Sequence, residues 1–181
     1  MNIQESIGKD AKIEVSSLFA AFGEKLYNTA FQMCRSVTDA EDLTLRTFEQ
    51  VFRNIHQYDP DKPIFPWICA ILTNCYRMDL RRKGRNALDF VAELPEMSDG
   101  RPDPAEVLAR ETDVRAVHEA VATLPEHYRV LVVLRYFDEL TVPQIAAALS
   151  LPEGTVKRRL HEAKDLLRLE LVRTIRPEDA Y

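Results

Sequence analysis

The stretch Thr141-Val142-Pro143-Gln144-Ile145-Ala146-Ala147-Ala148-Leu149-Ser150-Leu151-Pro152-Glu153-Gly154-Thr155-Val156-Lys157-Arg158-Arg159-Leu160-His161 reads as two short helices joined by a tight turn. Thr141 and Gln144 form a capping box, in which each side chain satisfies a backbone donor left free at a helix start. Ile145, Ala146 and Leu149 make a small apolar face, and Ser150 to Gly154 carries the Pro and Gly breakers. A second helix then repeats Val156, Leu160, Ala163 and Leu167 at i, i+4, i+7 and i+11, so one of its sides is buried.

Beside that stripe, Lys157, His161, Lys164 and Arg168 keep the same spacing and form a continuous basic ridge, widened by Arg158 and Arg159. A short helix packed on its predecessor and showing cations from its first turn is a helix-turn-helix, whose second helix lies in the DNA major groove. Arg and Lys there neutralise phosphates or reach guanine edges. The bland reading of the same residues is a solvated helix with an ordinary complement of Lys and Arg.

Composition bounds the rest. A chain of 181 residues with 46% hydrophobic and 29% charged residues is an ordinary folded protein of one domain or two small ones. No apolar run approaches the ~18 residues of a membrane span, and Met1 to Ile13 lacks a secretory pattern, so a cytoplasmic protein without membrane insertion is expected. Cys34, Cys69 and Cys75 lie on apolar-patterned segments without CxxC spacing and are expected to be reduced core residues. The four histidines show no HExxH spacing, the five glycines form no phosphate-cradling loop, and the carboxylates fall on solvent-facing helical positions. No catalytic residue, metal or cofactor is expected. The net charge of −5 is unusual for a free-standing DNA binder. Either basic charge is local, as at 157–176 and 81–85, or DNA is met together with another protein.

Upstream, residues 1–15 read as a loose leader. Leu18, Phe22, Leu26, Ala30 and Met33 predict a buried helix from Ser16 to about Arg35. Thr38 and Glu41 suggest a second capping box, and Ala40, Leu43, Thr47, Val51 and Ile55 a second helix to about His56. After the loop Tyr58 to Pro63, with Pro66 in its first turn, a third helix carries Ile68, Ile71, Leu72, Cys75 and Leu80 inward and ends in Arg81-Arg82-Lys83-Gly84-Arg85. Around it stand Tyr58, Phe65, Trp67 and Tyr76, with Asn74 on the face of Trp67. Aromatics beside a basic run can stack bases taken out of a duplex, each regaining roughly 1–3 kcal/mol. Asn74 could read a base edge while Arg77 and Arg81 hold the backbone. The competing reading is that Phe65, Trp67 and Tyr76 fill a three-helix core. Val91 to Pro104, acidic and breaker-rich, marks a linker, which if extended over about 20 residues could reach on the order of 65 Å. Beyond it, Val107, Val114, Val117 and Val121 suggest a helix ending near Leu124-Pro125, and Glu126 to Phe137 an apolar helix.

Taken together, the chain resembles the sigma factors of bacterial RNA polymerase, specifically the small extracytoplasmic function (ECF) group of the sigma-70 family. Asp39-Ala40-Glu41-Asp42-Leu43 with Phe48 resembles the family's core-polymerase-binding helix, and Phe65-Pro66-Trp67-Ile68, Ile71, Asn74 and Arg81-Arg82 the helix that opens and reads the −10 element. Leu124-Pro125-Glu126-His127-Tyr128-Arg129, Ile145-Ala146 and Gly154 to Ala163 resemble the −35-binding domain. Leu45 stands where the family commonly has Gln, Gln144 where it has Glu, and Asp79 one residue from the family's usual Asp, with Met78 in its place.

The resemblance implies an all-α fold of two small helical domains joined by a flexible linker, the C-terminal one containing the helix-turn-helix. Its divisions are a leader over 1–15, a region 2-like domain over 16–88, an acidic linker over 89–111 and a region 4-like domain over 112–176. It also implies the sites. Melting and −10 contacts fall to Tyr58, Phe65, Trp67, Asn74, Arg77, Arg81 and Arg82, and −35 contacts to Thr155, Lys157, Arg158, Arg159, His161 and Lys164. Core polymerase contacts fall to Asp39, Glu41, Asp42, Leu45 and Phe48. Implied partners are core RNA polymerase, promoter DNA and an anti-sigma factor. A stand-alone helix-turn-helix regulator is the alternative, and it would bind duplex operator without polymerase.

Overall fold

The computed structural model describes residues 15–83 and 114–175, which are helical and contain no strand. Helix α1 spans Val15–Cys34, α2 Val37–Asn54, a 3₁₀ turn Ile55–Gln57, α3 Ile64–Arg82, α4 Val114–Thr123, α5 Glu126–Val132, α6 Val142–Leu149 and α7 Glu153–Ile175. The leader, Gly84 and Arg85, and the acidic linker lie outside the described residues.

α1, α2 and α3 pack as the apolar spacing requires. Leu26, Ala30, Met33, Ala40, Leu43, Val51, Ile68 and Leu72 are fully buried among them. Each large side chain so buried contributes roughly 1.5–3 kcal/mol. Pro66 sits in the first turn of α3, where its missing N–H costs nothing. The start of α2 departs from the expected capping box at Thr38 and Glu41. Arg35 takes a left-handed conformation (φ 58°) that ends α1 and turns the chain, so the next residue, Ser36, is extended and caps α2. Its hydroxyl accepts from the Asp39 N–H at 3.3 Å, and Thr38 falls inside the helix.

In the C-terminal half, the single apolar helix expected over Glu126 to Phe137 is α-helical only to Val132 and widens to a π-helical turn over Val133–Phe137. Val130, Leu131, Val132, Val133 and Leu134 are consecutive and all buried. An ordinary amphipathic helix cannot bury every side; this segment does because α4 and α7 cover one side while α1 and α7's neighbour α6 crowd the others. The capping box of Thr141 and Gln144 is present, with both reciprocal bonds made. The turn after α6 is made by Ser150, left-handed at φ 54°. Gly154 does not serve as a breaker. It lies in the first turn of α7, where an added Cβ would meet nothing within 4 Å.

The two halves share one continuous apolar cluster. α3 packs along α6, and α1 against the π-helical turn and α5.

Candidate nucleic-acid interface

α3 divides its functional candidates between an inner and an outer face. Phe65 is 9% exposed and stacks on Phe22 at 5.5 Å, with the Lys25 ammonium 4.3 Å over its ring, while Tyr76 is 4% exposed and donates its hydroxyl to the Met33 carbonyl at 3.1 Å. Burial pushes the Tyr76 phenol up to about 12. Both rings therefore fill the core, as the competing reading had it. Tyr58 and Trp67 are only half-buried; their rings lie 5.4 Å apart and tilted, and the Tyr58 hydroxyl donates to the Lys62 carbonyl, closing the loop before α3. Asn74, Arg81 and Arg82 are exposed.

Arg77 has a different setting. Its guanidinium donates to the Leu149 carbonyl at 3.1 Å, and the Thr73 hydroxyl lies 3.4 Å from the Ala148 carbonyl. Carbonyls at the end of a helix have no partner within it, so α3 supplies a C-terminal cap to α6 from the other half of the chain. Burial and the neighbouring Arg81 lower the Arg77 pKa. The second link is Asp138, which is 5% exposed and not on a solvent-facing position as the sequence suggested for carboxylates. Its Oδ1 is 2.8 Å from the Thr29 hydroxyl of α1, and its Oδ2 is buried without a hydrogen bond. Burial pushes the carboxyl up to about 6, against the opposing pull of Thr29 and Lys25.

Among the described residues, none covers the outward face of α7. Lys157, Arg158 and His161 are exposed, and Thr155 and Lys164 are partly exposed along its edges. Arg159 is the exception: it is 3% exposed and turned into the bundle beside Tyr128, with burial lowering its pKa. Its spacing carried the signal, since Val156, Arg159 and Ala163 stand at i, i+3 and i+7 on the apolar stripe. Arg129 of α5 was not singled out, yet it donates to the Ala122 and Leu124 carbonyls at 2.9 and 3.2 Å and so caps α4.

The α2 face presents Glu41, Asp42 and the 59%-exposed Leu45, while Phe48 is buried beneath Phe19 at 5.0 Å. Asp39 pairs with Lys83 at 2.7 Å. Arg46 joins Asp42 at 3.1 Å to Asp79 of α3, whose carboxylate it grips with both terminal nitrogens. The displaced Asp79 is thus a brace between α2 and α3. Cys69 and Cys75 are buried, and Cys34 is partly so; all three are free thiols, with burial raising each pKa, Cys34 to about 12. Among the described residues no group of three His, Cys, Asp or Glu could hold a metal ion, and no helix is long and apolar enough to cross a membrane.

Comparison with known proteins agrees with this arrangement. Residues 18–86 match the family described as Sigma-70 region 2, and residues 114–167 the one described as Sigma-70, region 4. The ECF RNA polymerase sigma factor RpoE of Cereibacter sphaeroides is 30% identical over 154 residues, covering 84% of this chain and 83% of that protein. The ECF RNA polymerase sigma factor SigW of Bacillus subtilis is 28% identical over 161 residues, covering 83% and 84%. A similar fold occurs in the sigma factor RpoE of Bartonella quintana, solved in complex with the anti-sigma factor NepR, at a TM-score of 0.66, 20% identity and coverage of 86% of this chain and 95% of that one. The two matched regions, in this order and over helices of this kind, make the chain a member of the ECF sigma factors, which direct promoter-specific initiation of transcription by RNA polymerase.

Proposed function

We propose that the two halves divide promoter recognition between them, with residues 16–88 and 112–176 as the working domains and 89–111 as their tether. α7 docks in the major groove at −35 through Thr155, Lys157, Arg158, His161 and Lys164, and the outer face of α3 holds the melted −10 strand. Bases taken from the stack rest on Tyr58 and Trp67, Asn74 reads an edge, and Arg77, Arg81 and Arg82 hold phosphates. Phe65 and Arg159, being buried, act by supporting these faces. Core polymerase binds the α2 face of Asp39, Glu41, Asp42 and Leu45, which Phe48 supports from beneath. Polymerase lends the affinity that a chain of net charge −5 lacks. The chain itself catalyses nothing.

The observation that carries this reading is the presence, in one chain, of an exposed Asn74 and a half-buried Trp67 on one basic-ended helix, with half-buried Tyr58 of the preceding loop beside Trp67, and a basic outward face on another helix. Because Arg77 is occupied by the end of α6, the halves must part before it can reach a phosphate. An anti-sigma partner, of the kind seen with the Bartonella quintana relative, would hold such an inactive arrangement. The stand-alone regulator is not favoured, since both matched regions belong to polymerase sigma factors.

The test is reconstitution with core polymerase on promoter fragments, with strand opening mapped by a single-strand-specific reagent. Trp67→Ala and Asn74→Ala are expected to reduce opening by about tenfold each, the worth of one stacked or paired base. Opening equal to that of the parent would remove α3 from the melting role.

A further inference from the structure

The outward face of α7 is basic but carries three carboxylates, Glu153, Glu162 and Asp165. An acid on a helix that meets DNA repels phosphate unless it accepts from a base donor or is committed to a neighbouring cation. Two of the three are loosely placed: Glu153 lies 4.0 Å from Lys157 and Asp165 3.9 Å from His161, with all four side chains more than half exposed. Pairs of that kind fix little.

Glu162 is held on both oxygens. Its Oε1 accepts from the Arg158 guanidinium at 2.7 Å, and its Oε2 accepts from the Tyr128 hydroxyl at 3.0 Å. Tyr128 belongs to α5, is 4% exposed and cannot move without disturbing the core. Its hydroxyl is therefore a fixed point, Glu162 is tethered to it, and Arg158 is tethered to Glu162. Burial and the Glu162 contact both raise the Tyr128 pKa, so the phenol remains a donor at neutral pH.

Resting on the reading of α7 as the −35 reader, the geometry points to Glu162 and Tyr128 as positioning residues that set the rotamer of Arg158 and thereby the base pair it selects. A free arginine on a helix surface explores many rotamers and binds phosphate or guanine wherever it finds one. Held at one terminal nitrogen, the guanidinium offers its remaining N–H donors in one direction, as paired recognition of guanine O6 and N7 requires. The acid then serves specificity by orienting a cation, and the core helix α5 reaches the DNA surface through two hydrogen bonds.

The experiment uses the full chain with core polymerase on promoters carrying every single substitution in the −35 element, at two salt concentrations. Arg158→Ala should lose about tenfold discrimination at one base pair. Tyr128→Phe, which keeps the ring and the charge, should lose about threefold at that same pair, with discrimination elsewhere and the salt slope unchanged. Glu162→Ala should approach Arg158→Ala, Glu162→Gln should recover part of the loss because its amide oxygen still accepts, and Arg158→Ala with Glu162→Ala should lose no more than Arg158→Ala alone. If Glu162→Ala alters preference at a different pair, Glu162 reads DNA directly and the positioning role is overturned. Uniformly tighter binding with a steeper salt slope would overturn it too, by making Glu162 a mere source of repulsion. Tyr128→Phe indistinguishable from the parent on a discriminating wild type overturns the relay alone, whereas a wild type with no −35 preference overturns the reading of α7 along with it.

Discussion

α3 and α7 are both long helices with cations on a face assigned to DNA, and they are presented in opposite ways. α7 turns Lys157, Arg158 and His161 to solvent, whereas α3 has Thr73 and Arg77 engaged with the last carbonyls of α6. The difference follows from what each helix has to bury. α7 satisfies its apolar stripe, Val156, Leu160 and Ala163, within its own half of the chain, but α3 also contributes to a surface on which α6 lies. Under the roles proposed above, the duplex-reading face of α7 is open as folded, while the strand-trapping face of α3 is partly closed by α6.

The largest expected effect tests the open face. Lys157→Ala with Arg158→Ala should weaken −35 binding by on the order of 2–4 kcal/mol and lower the salt slope by about 1.8 if both cations neutralise phosphates. Hydrogen exchange of the last turn of α6 should not change. Faster exchange there would mean that the two faces are not independent.

The next effect concerns closure. With the halves together, Asp138 titrates at about 6; parted, it should return to the ordinary aspartate range. The proton is thus bound more tightly in the closed arrangement, which gains stability as pH falls through 6 and loses it as pH rises above. Between pH 7.5 and pH 5 the gain is about 1.4 kcal/mol. The charged and titratable groups facing Asp138 are Lys25 of α1 and Cys69 of α3, and burial raises the pKa of the Cys69 thiol, which therefore stays neutral over that interval. Energy transfer between labels on α2 and α7 should report closer approach at pH 5, and Asp138→Asn should be closed and indifferent to pH. A parent without pH dependence, or an open Asp138→Asn, would break the comparison.

The smallest effect is at the cap. Thr141→Ala should lower the stability of the C-terminal half by about 1 kcal/mol in denaturant unfolding. Because α6 is the element resting on α3, the same variant should speed exchange at Ala148 and Leu149. Loss of stability without that change would show that fraying at the start of α6 does not reach its end.

Most of the helical architecture was legible because its signals are local. The four-residue spacing from Leu18 to Met33 gave α1, Pro66 gave the first turn of α3, and Thr141 with Gln144 gave the start of α6. Local signals failed where two candidates compete. Ser36 and Thr38 can both cap, and the left-handed Arg35 decided between them. Among site residues, the inward turn of Arg159 was available in its spacing and was outweighed by its charge. Phe65 and Trp67 are two positions apart and equally aromatic, and only the packing of Phe22 and Lys25 separates the core ring from the half-exposed one.

By itself the sequence determined the helices, their apolar faces and the basic ridge, because hydrophobic period and capping chemistry act over a few residues. The tertiary structure alone decided that Asp138 is buried against Thr29, that Arg77 caps a helix some seventy residues away, and that Tyr128 holds Glu162. Those contacts join residues distant along the chain. A hydroxyl, carboxyl or guanidinium carries no mark of its partner until folding brings the two within about 3 Å, where burial makes an unmet polar group costly.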